Sequence, residues 1–149
     1  MNDNSPWPRY RFRNISEAIP YLEPGDLVAR PKRGGIGEHW GVFLPNRLIL
    51  ERQFEYGVRV VAIADFATSD ERVAIVKPPD QFRNLVEIEF RANQELSYGK
   101  IYDFFARNCE HTATYVATGR ASSGQIFVLL LLTGLSVGLY VIGKNQRAV

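Results

Sequence analysis

Along the middle of the chain, apolar residues alternate with polar ones in short runs of strand length. Leu27-Val28-Ala29-Arg30 follows the turn Glu23-Pro24-Gly25-Asp26 and is closed by Pro31. Glu38 to Leu44, the turn Pro45-Asn46-Arg47, and Leu48 to Gln53 form the clearest hairpin. Further strands run through Val58 to Ile63 and Arg72 to Val76, so four or five short strands are expected in one antiparallel sheet. The period then changes. After Asp80 as a cap, Phe82, Leu85, Val86 and Phe90 follow helical spacing, with Glu87, Arg91 and Gln94 turned to water, until Ser97-Tyr98-Gly99 breaks the helix. A second helix spans about Cys109 to Thr118, with Asn108 as N-cap and Gly119 as a left-handed C-cap. The fold class is α+β, a small antiparallel sheet packed against helices.

The last hydrophobic run is of another kind. Residues 124–143 contain no charge over 20 positions, and at about 1.5 Å per residue such a helix matches a hydrocarbon core of about 30 Å. A helix apolar on every side needs covering all round, and a domain of this size cannot enclose it, so a C-terminal transmembrane helix is expected. Four segments result: a lead-in, 1–20, which can include a short helical piece from Ser16; a globular domain, 21–123; the span, 124–143; and a polar tail, 144–149. Within the span, Gly134 and Gly138 form a Gly-x-x-x-Gly pair that permits close helix approach, with self-association and a monomeric anchor equally compatible.

Charge excludes more than it assigns. All 16 acidic residues and 16 of the 18 basic ones precede Ala121, so the globular part is neutral and the net charge of +2 comes from Lys144 and Arg147. No basic patch argues for nucleic acid, and Arg9, Arg11 and Arg13 read as a solvated strand or lead-in segment. The polar start Met1-Asn2-Asp3-Asn4-Ser5-Pro6 lacks a signal's apolar core, and a single cysteine forms no internal disulfide. The expected topology is a single-pass C-terminal anchor with the domain facing the cytosol.

That cysteine, Cys109, falls in the first turn of a helix, where free backbone N–H groups and the helix dipole favour a thiolate. Its neighbours Asn108, Glu110 and His111 are polar, a poor setting for a core filler. A cysteine nucleophile needs a base and a polar group to orient that base. Side chains alternate along the hairpin, and a turn centred on Asn46 opposes residues whose numbers sum to 92. This sets His39 against Gln53 and Gly41 against Glu51, all on one face, with Gly41 leaving room for a neighbouring helix end. Cys109 as nucleophile, His39 as base and Glu51 as the orienting group follow, with Gln53 as the alternative third residue; the backbone N–H of Cys109, with Asn108, is placed for an oxyanion. His111, two residues from Cys109, lies about 200° round the helix and is assigned a structural role. The glycine-rich stretch Lys32 to Gly37 lacks a phosphate loop's pattern and reads as a flexible loop beside the site. No metal-ligand spacing is present, and neither a metal nor another cofactor is expected.

Asn108-Cys109-Glu110-His111, with Pro24-Gly25-Asp26-Leu27 followed by His39-Trp40, and Tyr102 before the cysteine, resembles the signature of the lecithin:retinol acyltransferase and HRAS-like suppressor family. The resemblance covers about residues 21 to 119. It implies a circularly permuted papain-like, NlpC-type fold in which the cysteine helix packs on the sheet carrying the base. It also implies a thiol hydrolase or acyltransferase acting on membrane phospholipid. One position departs: the animal enzymes usually have a second histidine 12 residues after the first, where this chain has Glu51. A cysteine peptidase or amidase of the NlpC type, and a non-catalytic membrane-anchored adaptor, are the competing expectations.

Overall fold

The computed structural model describes residues 6–34, 36–97 and 108–120. Six strands form one sheet: β1 (Arg9–Phe12), β2 (Leu27–Pro31), β3 (Glu38–Phe43), β4 (Ile49–Gln53), β5 (Gly57–Val61) and β6 (Val73–Val76). Their order is β1-β6-β2-β3-β4-β5, and every neighbouring pair is antiparallel. Helices α1 (Ile15–Ala18), α2 (Ile63–Phe66), α3 (Leu85–Ser97) and α4 (Cys109–Thr118) complete the described residues, with single 3-10 turns at Ile19–Tyr21 and Asp80–Phe82. The α+β class with an antiparallel sheet is as the hydrophobic pattern implied.

The sheet is covered on both faces, and the alternation of side chains decides which residue goes where. Leu27, Ala29, Trp40, Val42, Leu50 and Val58 face α3 and α4. Val28, Phe43, Ile49, Val73 and Ile75 face α1 and α2. Helix α4 buries Cys109, Thr112, Ala113, Val116 and Ala117, an i, i+3, i+4, i+7, i+8 stripe of small and apolar residues that lets it lie close to the strands.

Several expectations are corrected. Six strands form, not four or five, because the lead-in joins the sheet: Arg9 to Phe12 pairs with β6 as an edge strand. Its exposed residues, Tyr10 and Arg11, fall one on each face, while Arg9 and Phe12 are half-buried. Asp80 lies in a 3-10 turn, and Asn84 caps α3 instead, its Oδ1 accepting the N–H groups of Val86 and Glu87 at 3.1 and 3.3 Å. Helix α3 is also turned. It buries Ile88, Arg91, Ala92 and Glu95, leaving Leu85, Val86 and Phe90 exposed. Gln94 is half-buried and accepts a hydrogen bond from the Tyr115 hydroxyl at 2.6 Å. Arg91 belongs inside because its Nε donates to the Val116 carbonyl at 2.9 Å, satisfying an end-of-helix acceptor of α4 with a cation. No helix among the described residues is long and apolar enough to cross a membrane. The expected span 124–143, Tyr102, the expected break at Tyr98-Gly99, and Gly134 and Gly138 lie outside the described residues.

Two glycines hold the scaffold to the site. Gly25 has φ +92°, and a Cβ there would come within 2.9 Å of Ile88 on α3. The next residue, Asp26, is fully buried, with Arg83 at 2.7 Å, Lys77 at 3.0 Å and the Glu23 N–H at 2.9 Å, so the turn into β2 is pinned from three sides. At Gly41 a Cβ would lie 2.5 Å from Ile49 Cγ2 and 2.9 Å from Phe66 Cε2. The room beside Gly41 thus receives the end of α2.

Candidate active site

Strand β3 is paired unequally along its two edges, and the site occupies the difference. On one edge β2 stays in register as far as Pro31 opposite Glu38. On the other, the ladder to β4 ends at Gly41 opposite Glu51, after which β4 stays paired with β5 through Gln53 opposite Gly57. His39 and Gln53 are therefore not a ladder pair, although Gly41 and Glu51 are, as the turn-centred register implied. The edge of β3 at residues 38–40 is left open on the β4 side, and Cys109 fills it. Its thiol lies 3.8 Å from the Glu38 carbonyl, to which it donates, and the Trp40 backbone N–H donates to the sulfur. The residue between them on the strand is His39, whose ring is close enough to the same thiol for each to shift the other's titration.

The start of α4 holds the sulfur in this gap. Asn108 has extended backbone, and its Oδ1 accepts the His111 N–H at 2.8 Å. Gly119, at φ +74°, ends the helix, with its N–H donated to the Tyr115 carbonyl at 2.7 Å. Cys109 is only 3% exposed and belongs to the packed stripe of α4, so its polar sequence neighbours did not foretell its burial. Asn108 is buried too, and its side-chain oxygen is committed to the cap. His111 is half-buried, and its ring Nδ1 has no hydrogen-bond partner among the described residues. Burial lowers its pKa, while the nearby Glu110 opposes that shift.

Glu51 occupies the other side of His39. Its Oε2 lies 2.7 Å from His39 Nε2, and it is 1% exposed. Its Oε1 accepts from Arg59 Nε at 2.7 Å and from Gln53 Nε2 at 2.9 Å. Gln53 thus touches Glu51, while the hydrogen bond to the His39 ring is made by Glu51. Burial pushes the Glu51 carboxyl up, yet the hydrogen bond and charge of His39, with Arg59 and Gln53, hold it below the usual carboxylate range. With an ionised acceptor at Nε2, that nitrogen carries the proton, which leaves Nδ1 unprotonated in the neutral ring.

Cys109 and His39 perturb each other in the sense a thiolate-imidazolium pair requires. Burial pushes the Cys109 thiol up, but the hydrogen bond and charge of His39 and the Trp40 N–H bring it below the ordinary thiol value. Burial pushes His39 down, but hydrogen bonds to Cys109 and Glu51 raise it above an ordinary imidazole.

Three neighbours escaped the sequence reading. Arg59 is the cross-strand partner of Glu51 in the second hairpin, and carrying the register on from β4 to β5 would have found it. Arg30 is the partner of His39 on the other side, buried at 4% exposure, with its guanidinium 5.5 Å from the Phe66 ring centre. Phe66 also stacks on His39 at 5.6 Å between centroids. No sequence signal marked Phe66, whose approach depends on the absent side chain at Gly41.

Among the described residues no group of three or more His, Cys, Asp or Glu side chains is placed to hold a metal ion. No family model, curated protein or solved structure matches this chain. The site thus consists of a helix-borne thiol at the strand backbone, the imidazole of His39, and a buried carboxylate on its Nε2.

Proposed function

We propose that this chain is a cysteine-dependent acyl hydrolase or acyltransferase acting on the ester bonds of glycerophospholipids. The observation that carries the reading is the Cys109-His39-Glu51 arrangement, in which the thiol is held at the strand backbone beside His39 and the imidazole bonds a buried carboxylate at 2.7 Å. Catalysis of acyl transfer by a thiol needs this order of groups. The choice of phospholipid as acyl donor rests on the resemblance of the motifs around His39 and Cys109 and on the apolar segment 124–143.

In this reading His39 Nδ1 takes the proton of the Cys109 thiol, and the thiolate adds to the ester carbonyl carbon. The backbone N–H of Cys109, in the first turn of α4, donates to the oxyanion. The tetrahedral intermediate collapses with cleavage of the ester C–O bond, and the imidazolium returns its proton to the departing lysophospholipid oxygen. The acyl group is then a thioester on Cys109. Water, an amine or an alcohol attacks it with His39 again as base, and the thiol is regenerated. Glu51 holds the tautomer and stabilises the imidazolium; it does not itself move a proton.

The test is mass spectrometry of products formed from phosphatidylcholine and phosphatidylethanolamine by the purified protein and by Cys109→Ser. Lysophospholipid with fatty acid or an acylated acceptor from the parent, and none from the variant, is the expected result. Equal product from both rejects the thiol mechanism, and cleavage of peptide amides with no action on lipid transfers the site to the amidase reading.

A further inference from the structure

The end of the sheet that carries the site also carries the two most exposed large apolar side chains of the described residues, Ile36 and Phe54; Val86 and Phe90 of α3 follow at 76% and 67%. The end of β2, the start of β3, the end of β4 and the start of β5 all lie at that end, as the antiparallel pairings require. Two connections project from it. In the β2–β3 loop Ile36 is 99% exposed, and in the β4–β5 turn Phe54 is 79% and Tyr56 54% exposed. In the β2–β3 loop Gly34 and Gly37 have φ of +72° and +94°, which ordinary side chains resist. At the opposite end, the β3–β4 turn is Pro45-Asn46-Arg47, as a turn bathed in water should be.

We propose that Ile36, Phe54 and Tyr56 form a docking rim that enters the interfacial layer of a phospholipid bilayer and brings the mouth of the Cys109 site against it; the proposal rests on the phospholipid reading above. Two apolar tips flanking one site suit a plane. Lys32 and Arg33 at the root of the loop, and Arg59 behind the turn, where its guanidinium bonds Glu51 and lies 4.7 Å from the Tyr56 ring centre, put basic side chains behind the apolar tips, the order in which an interfacial segment meets acyl chains and headgroups. Arg33 is meanwhile steadied by two hydrogen bonds to Glu71 at 2.7 and 2.9 Å, so the root of the loop is held while its tip projects. The thiol is 3% exposed, and a lipid ester lies just below the headgroups. Seating the rim at that depth shortens the path from ester to sulfur.

The full-length chain in phosphatidylcholine vesicles tests this. Phe54→Trp adds a fluorophore at the rim and Asn46→Trp adds one at the opposite turn, each read as the difference from the parent, which contains Trp7 and Trp40. Phosphatidylcholine brominated in its acyl chains should quench and blue-shift the emission gained at position 54 and leave that at position 46 unchanged. The double variant Ile36→Ser/Phe54→Ser should lose about tenfold or more in kcat/KM on vesicle lipid, with short-chain water-soluble esters turned over within about twofold of the parent. Unquenched emission at position 54, or equal loss on both substrates, overturns the proposal. So does burial of position 54 in a concentration-dependent oligomer without lipid, which would assign the rim to a second copy. Quenching at position 54 with no lipid product under any condition would keep the docking rim and reject the phospholipid ester as substrate.

Discussion

At the scale of single residues, the arrangement turns on which group orients His39. Glu51 reaches Nε2 at 2.7 Å, and Gln53 reaches Glu51 at 2.9 Å, so the two substitutions should separate. Glu51→Gln keeps a hydrogen-bonding shape but removes the charge that stabilises the imidazolium, and activity is expected to fall roughly a hundredfold or more. Gln53→Ala removes one of several donors to a carboxylate still held by Arg59, and its loss should be far smaller; steady-state kinetics of the two variants side by side checks the order. The pH dependence of thiol alkylation reads the same relay. His39 lies above its ordinary value and Cys109 below its own, so the thiolate should form at lower pH than in a free thiol. Since Glu51 stabilises the imidazolium and the imidazolium stabilises the thiolate, Glu51→Gln should move the alkylation midpoint upward. A midpoint unmoved by that change would show that Glu51 does not act on the pair.

At the scale of elements, α4 sits where it does because β4 and α3 hold it through a buried cation. Arg52 is fully buried, donating from Nε to the Thr112 hydroxyl at 2.7 Å and from Nη2 to Glu95 at 2.7 Å. Removing one partner strands the other charge, so Arg52→Met should cost about 3–5 kcal/mol in urea unfolding, and adding Glu95→Leu should recover much of it. If the double variant is no more stable than the single, the pair is not the cause. This contact also shows where sequence was legible and where it was not. The hairpin from Glu38 to Gln53 and both caps of α4 could be read, because turn, alternation and cap signals are local. The buried side of α3 could not: Arg91 and Glu95 face inward only because the Val116 carbonyl and Arg52, distant in sequence, receive them. Strand β1 could be read no further than as a solvated strand or lead-in segment for a similar reason, its charged and aromatic residues becoming a sheet edge only when β6 arrives. At the site, the residue types and the Gly41-Glu51 register were visible, whereas the gap beside β3 that admits the thiol depends on where β4 departs.

At the scale of the whole molecule, the expected division is between a domain that does chemistry and an apolar segment that supplies proximity. Deleting residues 124–149 should leave Cys109 reactive toward alkylating agents and short-chain esters turned over, while action on bilayer lipid falls, since an anchor raises local concentration without altering the reacting groups. Retention of full vesicle activity by the shortened chain would remove the anchor from the account. The central claim is more direct, that the acyl group passes through sulfur. Intact-protein and peptide mass spectrometry of the chain quenched in acid during turnover of a phosphatidylcholine with one defined acyl chain measures it. The expected result is a mass increase of that acyl group on the peptide containing Cys109, removed by neutral hydroxylamine as a thioester and absent from Cys109→Ser. Lipid turnover that persists in Cys109→Ser, or an acyl group carried on another residue, would contradict it.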